Sequence, residues 1–152
     1  LVAQEITTAD RVAAIRQALG EAKRPTVFVR IPEHHVGQMT VDPAAQTELV
    51  LLCKEAGFEI VDGDKGTEKQ ADVVIEGEGF SEFAMRKGNL VSVKARLEVK
   101  AIDRVSGKVL AIDRQTALEV DLTEQIAGKK ALQDAAAEIA VRLLPKLVQP
   151  AP

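Results

Sequence analysis

Leu90-Val91-Ser92-Val93-Lys94-Ala95-Arg96-Leu97-Glu98-Val99-Lys100-Ala101-Ile102-Asp103-Arg104-Val105-Ser106-Gly107-Lys108-Val109-Leu110 is the stretch whose reading decides the fold. From Val91 to Ala101 every second residue is aliphatic, and Ser92, Lys94, Arg96, Glu98 and Lys100 fill the gaps. Successive side chains of a strand point to opposite faces, so this alternation predicts one strand with a dry face and a wet face. Ser106-Gly107 sits in a tight turn spanning Arg104 to Lys108, and a further strand is expected from Val109 to about Val120. An Ala-rich amphipathic helix then follows, capped by Thr123 with Glu124 in its first turn. Its apolar stripe is Leu132, Ala135, Ala136, Ile139, Leu143 and Leu147, and Pro145 bends or ends it.

Upstream of this block, Ala71 to Glu76 reads as a strand running past Gly77 and Gly79 toward Met85, with the glycines marking a bulge or a close backbone approach. Lys87-Gly88-Asn89 is a hairpin turn, so the C-terminal half forms an antiparallel meander. In the N-terminal half, Thr7 and Asp10 have capping-box spacing. Val12, Ile15 and Leu19 share a helical face that Gly20 closes. Pro25 to Ile31 is a β-branched strand ended by Pro32, and a polar loop is expected from Glu33 to Val41. Asp42 is expected to cap a helix that Pro43 opens at its first position, with Leu49, Leu52, Cys53 and Ala56 as its stripe. Gly57 ends that helix, and a second strand opens at Phe58. A helix between these two strands favours parallel pairing. The fold class is therefore α/β (α+β): a mixed sheet of about five strands with a C-terminal antiparallel meander, flanked by two or three helices. Residues 1–148 form a single domain and 149–152 a disordered tail.

Composition narrows the function classes. The chain has 152 residues with a net charge of -3, four Phe and no Trp or Tyr. Few stacking platforms and an acidic balance argue against nucleic acid as a partner. One cysteine, Cys53, permits no internal disulfide. No apolar run reaches the length that spans a bilayer.

Candidate chemistry is sparse. His34-His35 with Glu33 is the one cluster of ligand-type residues, and it is the candidate ligand or partner loop. Neighbouring residues in an extended segment point apart, so a shared metal ion is disfavoured. Cys53 lies on an apolar helical stripe, where a thiol behaves as a small hydrophobe. Gly77-Glu78-Gly79 lacks the third glycine of a dinucleotide fingerprint, and Asp62, Asp64, Glu68 and Asp72 lack EF-hand spacing. Lys94, Arg96 and Lys100 form a basic row that Glu98 interrupts; such a row keeps an exposed sheet soluble unless a helix covers it. No catalytic residue, metal or cofactor is expected.

Four segments in order carry a resemblance: Gln46-Thr47-Glu48-Leu49 with Leu52 and Ala56-Gly57-Phe58-Glu59-Ile60-Val61-Asp62; Ala71-Asp72-Val73-Val74-Ile75-Glu76-Gly77; the hairpin from Val99 to Leu110; and Lys130-Ala131-Leu132 with Ala135-Ala136 and Leu143-Leu144. Together, over roughly 25–147, they resemble bacterial cell-envelope proteins of the CsgG/LpoB/FlgT-like superfamily. The first strand departs from that pattern in reading Val27-Phe28-Val29-Arg30-Ile31-Pro32 and then Glu33. The membrane-inserting hairpins of a secretion channel have no counterpart here. The resemblance implies an anticodon-binding-like α/β module, periplasmic or outer-membrane-associated. Its work would be non-enzymatic protein–protein assembly with an envelope partner or by self-association, and any membrane anchor would lie outside this chain. The alternatives are a small-ligand or enzymatic domain using residues 33–41, and a purely structural subunit.

Overall fold

The computed structural model describes residues 6–35, 38–39, 42–63 and 66–148, with the backbone alone at 38–39. Along the chain run α1 (Thr8–Leu19), β1 (Thr26–Arg30), β2 (Glu33–His35), β3 (Gln38–Met39), α2 (Ala44–Glu55), β4 (Glu59–Ile60), β5 (Val73–Lys87), β6 (Leu90–Asp103), β7 (Val109–Asp121) and α3 (Glu124–Leu143). Short 3₁₀ turns occupy Glu68–Gln70 and Leu144–Leu147. The mixed sheet places β5 at its centre. One flank of β5 carries β1 and β2 in parallel, the other carries β6 and then β7 antiparallel, and β4 lies parallel outside β1.

The mixed sheet with its antiparallel meander is as expected; among the described residues it has seven strands where about five were expected, for a local reason. Arg30 pairs with Glu76 and Glu33 with Gly79, the same offset on both sides of Ile31-Pro32. A proline cannot donate to a ladder, so Pro32 divides one continuous line into β1 and β2. The segment read as a loop from Glu33 is thus a strand at Glu33–His35, paired in turn with β3; residues 36, 37, 40 and 41 lie outside the described residues. So do residues 149–152, on which the tail reading falls.

Helices α1, α2 and α3 share one core with one face of the sheet. Val91, Val93, Ala95, Leu97, Val99 and Ala101 are all buried, as their alternation requires. They lie beneath the α3 stripe, where Leu132, Ile139 and Leu143 are at most 2% exposed. Burying one such side chain stabilises by about 1.5–3 kcal/mol, so this aliphatic seam is the main apolar contribution in a chain almost without aromatics. Cys53 is buried in the same core, and burial pushes its thiol up to about 12. At α1 both halves of the Thr7–Asp10 capping box form.

At α2 the capping expectation needs correction. Asp42 does not cap it; the helix starts after Pro43, with no cap from the side chain of that residue. The Glu33 carboxylate accepts from the Ala45 amide instead, while Asp42 lies 3.7 Å from Lys129. The cap is supplied from a strand 12 residues upstream.

The glycines of β5 do not mark a bulge. The register shift lies between Phe83 and Met85. Gly77 is a close approach: a Cβ there would overlap the Glu98 carbonyl oxygen and sit 2.9 Å from the Val99 Cα. At Gly79 a Cβ would lie 3.1 Å from Leu132 Cδ2, against α3. We expect Gly77→Ala to lower unfolding free energy by about 1–3 kcal/mol, the usual cost of forced overpacking, measured by chemical denaturation; an unchanged midpoint would show that the two strands have room to separate.

Candidate functional site

The three residues singled out by sequence part company. Consecutive strand residues point to opposite faces, so Glu33 and His35 turn toward the helices and His34 toward the open face of the sheet. Glu33 is 1% exposed and fully used at the N-terminus of α2. Burial pushes its carboxyl up, while the amides of Ala45 and Ala44 and the charge of Lys129 pull it down.

His35 is held at both ring nitrogens. Nδ1 lies 2.7 Å from Ser81 Oγ on β5, and Nε2 lies 3.1 Å from a Glu124 carboxylate oxygen in the first turn of α3. An imidazole protonated on Nε2 satisfies both contacts, donating to Glu124 and accepting from the Ser81 hydroxyl. A serine, a histidine and a carboxylate in a line have the connectivity of a nucleophilic triad. Access is lacking, however. Ser81 is 3% exposed, and the backbone of Gly128 packs on it so closely that a Cβ there would lie 3.1 Å from Oγ. Of the nearby α3 amides, that of Ile126 is taken by the Thr123 hydroxyl and that of Ala127 by the Thr123 carbonyl. The arrangement therefore binds β2, β5 and α3 together. Sequence named His35 and Glu124, but only the β2–β5 register brings Ser81 to the other nitrogen of that imidazole.

His34 lies beside Phe80 in the strand register, and its Nδ1 sits 3.8 Å from Glu78, beyond hydrogen-bond reach. It joins an open face that none of the three helices covers. Across β5, β6 and β7 the rows run Glu76–Lys100–Ile112, Glu78–Glu98–Arg114, Phe80–Arg96–Thr116 and Glu82–Lys94–Leu118. The basic row is largely neutralised within the sheet: Lys100 lies 3.5 Å from Glu76, and Arg96 is 2.6 Å from Glu98. Apolar residues remain uncovered, with Ile112 72%, Leu118 60% and Phe80 48% exposed. A shallow groove of about 480 Å³ runs between Phe80 and Leu118, with Glu82, Lys94, Arg96 and Thr116 on its walls. At one end of this face Phe28 and Val74 are buried with Ala71, and Val61 packs against them.

A third titratable cluster was invisible in the sequence. Burial, and then Glu119 beside it, pushes the Asp134 carboxyl of α3 up to about 7; Arg11 and Lys130 pull it down. Lys130 lies 3.8 Å from Glu119. Nearby, Arg11 of α1 bonds Glu138 at 2.9 Å, and Glu48 of α2 is pushed up by burial and drawn down by Gln133 and Arg11. Among the described residues no group of three or more His, Cys, Asp or Glu could hold a metal ion, and no helix is long and apolar enough to cross a membrane.

No protein-family model matches the chain, and no curated protein matches it. Solved structures do. A hypothetical protein from Chlamydia trachomatis aligns with TM-score 0.55 at 12% identity, covering 82% of this chain and 98% of the other. A minor lipoprotein from Acinetobacter baumannii aligns with TM-score 0.51 at 17% identity, covering 83% and 97%. A Xanthomonas campestris protein of the DUF330 family aligns with TM-score 0.50 at 14% identity, covering 82% and 83%. At these identities the likeness is one of fold, and it is a fold that the Acinetobacter lipoprotein shares.

Ser81→Ala leaves His35 Nδ1 unpaired beside Gly128, and we expect a loss of about 1–3 kcal/mol in chemical denaturation. A neutral result would mean that water replaces the hydroxyl. The Asp134 pair sets a pH dependence of known sign. Burial and Glu119 hold its carboxyl up at about 7 in the folded chain, against an ordinary value of 3.8. Between these values the folded chain keeps a proton that the unfolded chain has released, so stability falls as pH rises through that window. The melting temperature is expected to drop from about pH 5 to about pH 8, and Asp134→Asn to flatten the drop; an equal slope in the variant would refute the assignment.

Proposed function

We propose that the protein is a non-enzymatic module of the bacterial cell envelope, periplasmic or outer-membrane-associated, that works by binding another protein or a second copy of itself. The observation that carries this reading is the uncovered sheet face. Three helices pack on one side only, and the other side leaves Phe80, Ile112 and Leu118 in solvent around a shallow groove. Exposed apolar residues gathered on one surface mark interaction sites more often than solvated ones do. The ordered sequence pattern and the fold shared with a bacterial lipoprotein support the envelope as the compartment. They also support membership of the CsgG/LpoB/FlgT-like group, with its anticodon-binding-like module, as the finer form of the proposal.

Of the candidate loop residues, His34 is the one that faces this surface, so it is the member of Glu33, His34 and His35 assigned to partner contact. Glu33 and His35 serve by holding β2 in place. Cell fractionation followed by site-specific photo-crosslinking tests the reading. A photoreactive residue at Ile112 or Thr116 on the open face is expected to give discrete adducts with an envelope protein or with a second copy. The same residue at Glu21, on the helical side, is expected to give none. Adducts with cytoplasmic proteins only, or the same adducts from both sides, would overturn it.

A further inference from the structure

The free edge of β7 is guarded by side chains over only part of its length. Strand β7 pairs with β6 on one side and with no strand on the other among the described residues. Which backbone groups reach that free edge follows from the turn at Gly88-Asn89. A two-residue hairpin closes on a hydrogen-bonded pair, here Lys87 and Leu90. Hydrogen-bonding sides alternate along an antiparallel ladder, so even-numbered residues of β6 bond β5 and odd-numbered ones bond β7. Val93 pairs with Glu119 and Val91 with Asp121. The odd-numbered residues of β7 are thereby used, and Ile112, Arg114, Thr116, Leu118 and Val120 direct their N–H and C=O groups outward.

Side chains guard the middle of this edge, at Arg114 and Thr116. The Arg114 amide donates to the Asp113 carboxylate at 2.8 Å. Arg142 of α3 grips that carboxylate at 2.9 Å and reaches the Arg114 carbonyl at 3.4 Å. The Gln115 amide group donates to the Thr116 carbonyl at 3.2 Å. At the far end the Leu122 amide donates to the Asp121 carboxylate at 2.7 Å. Between these guards, no side chain among the described residues bonds the backbone of Leu118 or Val120. An open edge accepts an added strand, and charged or locally bonded groups are how edges are closed.

The side chains around this gap state what the added strand carries. Leu118 and Val120 face the open side of the sheet and are 60% and 46% exposed. Glu119 and Asp121 face the other way, toward the flank of α3, and are the two carboxylates beside the gap. Lys130 is the neighbouring cation, and its distance from Glu119 is a loose 3.8 Å. A second copy fits this gap poorly. A two-fold pairing confined to Leu118–Leu122 would set Glu119 against Asp121 of the other copy, and like charges directly opposite destabilise a strand pair.

We propose that the backbone of Leu118 and Val120 is the docking edge for an extended segment of a partner protein, which joins the sheet beside β7 with apolar side chains over Leu118 and Val120 and basic side chains beside Glu119 and Asp121. This rests on the reading of the protein as a binding module and names the kind of segment bound.

The test uses the intact chain and a short synthetic peptide alternating valine and lysine. Amide hydrogen exchange is read residue by residue by NMR. Adding the peptide is expected to slow exchange at Leu118 and Val120 by about tenfold or more, with Ile112 unchanged. A valine–glutamate peptide, and a valine–lysine peptide N-methylated to remove its main-chain donors, are expected to have no effect. Glu119→Gln with Asp121→Asn is expected to abolish the protection. Protection absent at both amides, equal with the glutamate peptide, or present without peptide in a species that sediments as a dimer would each overturn the proposal. The wider binding reading is tested separately: crosslinks from Ile112 or Thr116 that persist while the peptide does nothing would reject the β7 edge alone.

Discussion

Strand β5 touches three neighbours, and it can do so because Gly77 and Gly79 present no side chain where the chain is most crowded. Gly77 lets β6 come to hydrogen-bonding distance past the Glu98 carbonyl. Gly79 lets α3 settle onto the sheet through Leu132 and leaves room for the stem of Glu33. The rest follows from this line. The parallel strand β1–β2 and the antiparallel meander need a shared partner, and the seam between β6 and α3 needs the sheet to be flat enough there to be covered.

The polar groups at the end of that line have a tying function. Glu33 closes the first turn of α2, and His35 joins Ser81 to Glu124 across two strands and a helix. Buried polar groups left unpaired cost more than paired ones contribute, so each of these side chains fixes its neighbours. This is why Glu33 and His35, the residues whose types suggest chemistry, are consumed by architecture. The uncovered face has the opposite character: charges paired within the sheet, apolar side chains exposed between them, and a strand edge guarded over part of its length.

Much of the fold was legible locally. The Val91–Ala101 alternation, the Ser106-Gly107 turn, the Thr7 and Thr123 caps and the α3 stripe each depend on contacts a few residues apart, so their physics is written in the spacing. Other features depend on distant partners. Pro32 divides a strand only because that strand has a neighbour with which to keep register. Asp42 loses the cap of α2 to Glu33 because the end of β1–β2 comes to rest beside that helix. The candidate trio was found as residue types, but its three members face two directions, and Ser81 gave no signal of its own.

Periodicity, turn chemistry and capping are short-range, so the class of the fold, the wet and dry faces of the meander and the lack of a recognisable catalytic motif were already readable in the residue order. Tertiary structure alone decided which face the helices cover, that His35 meets Ser81 and Glu124, that Asp134 sits against Glu119, and that no described strand or side chain bonds the backbone of Leu118 and Val120 at the β7 edge. Those outcomes follow from strand register and helix docking, where one-residue shifts exchange the faces of every side chain, and no local pattern encodes the choice of partner.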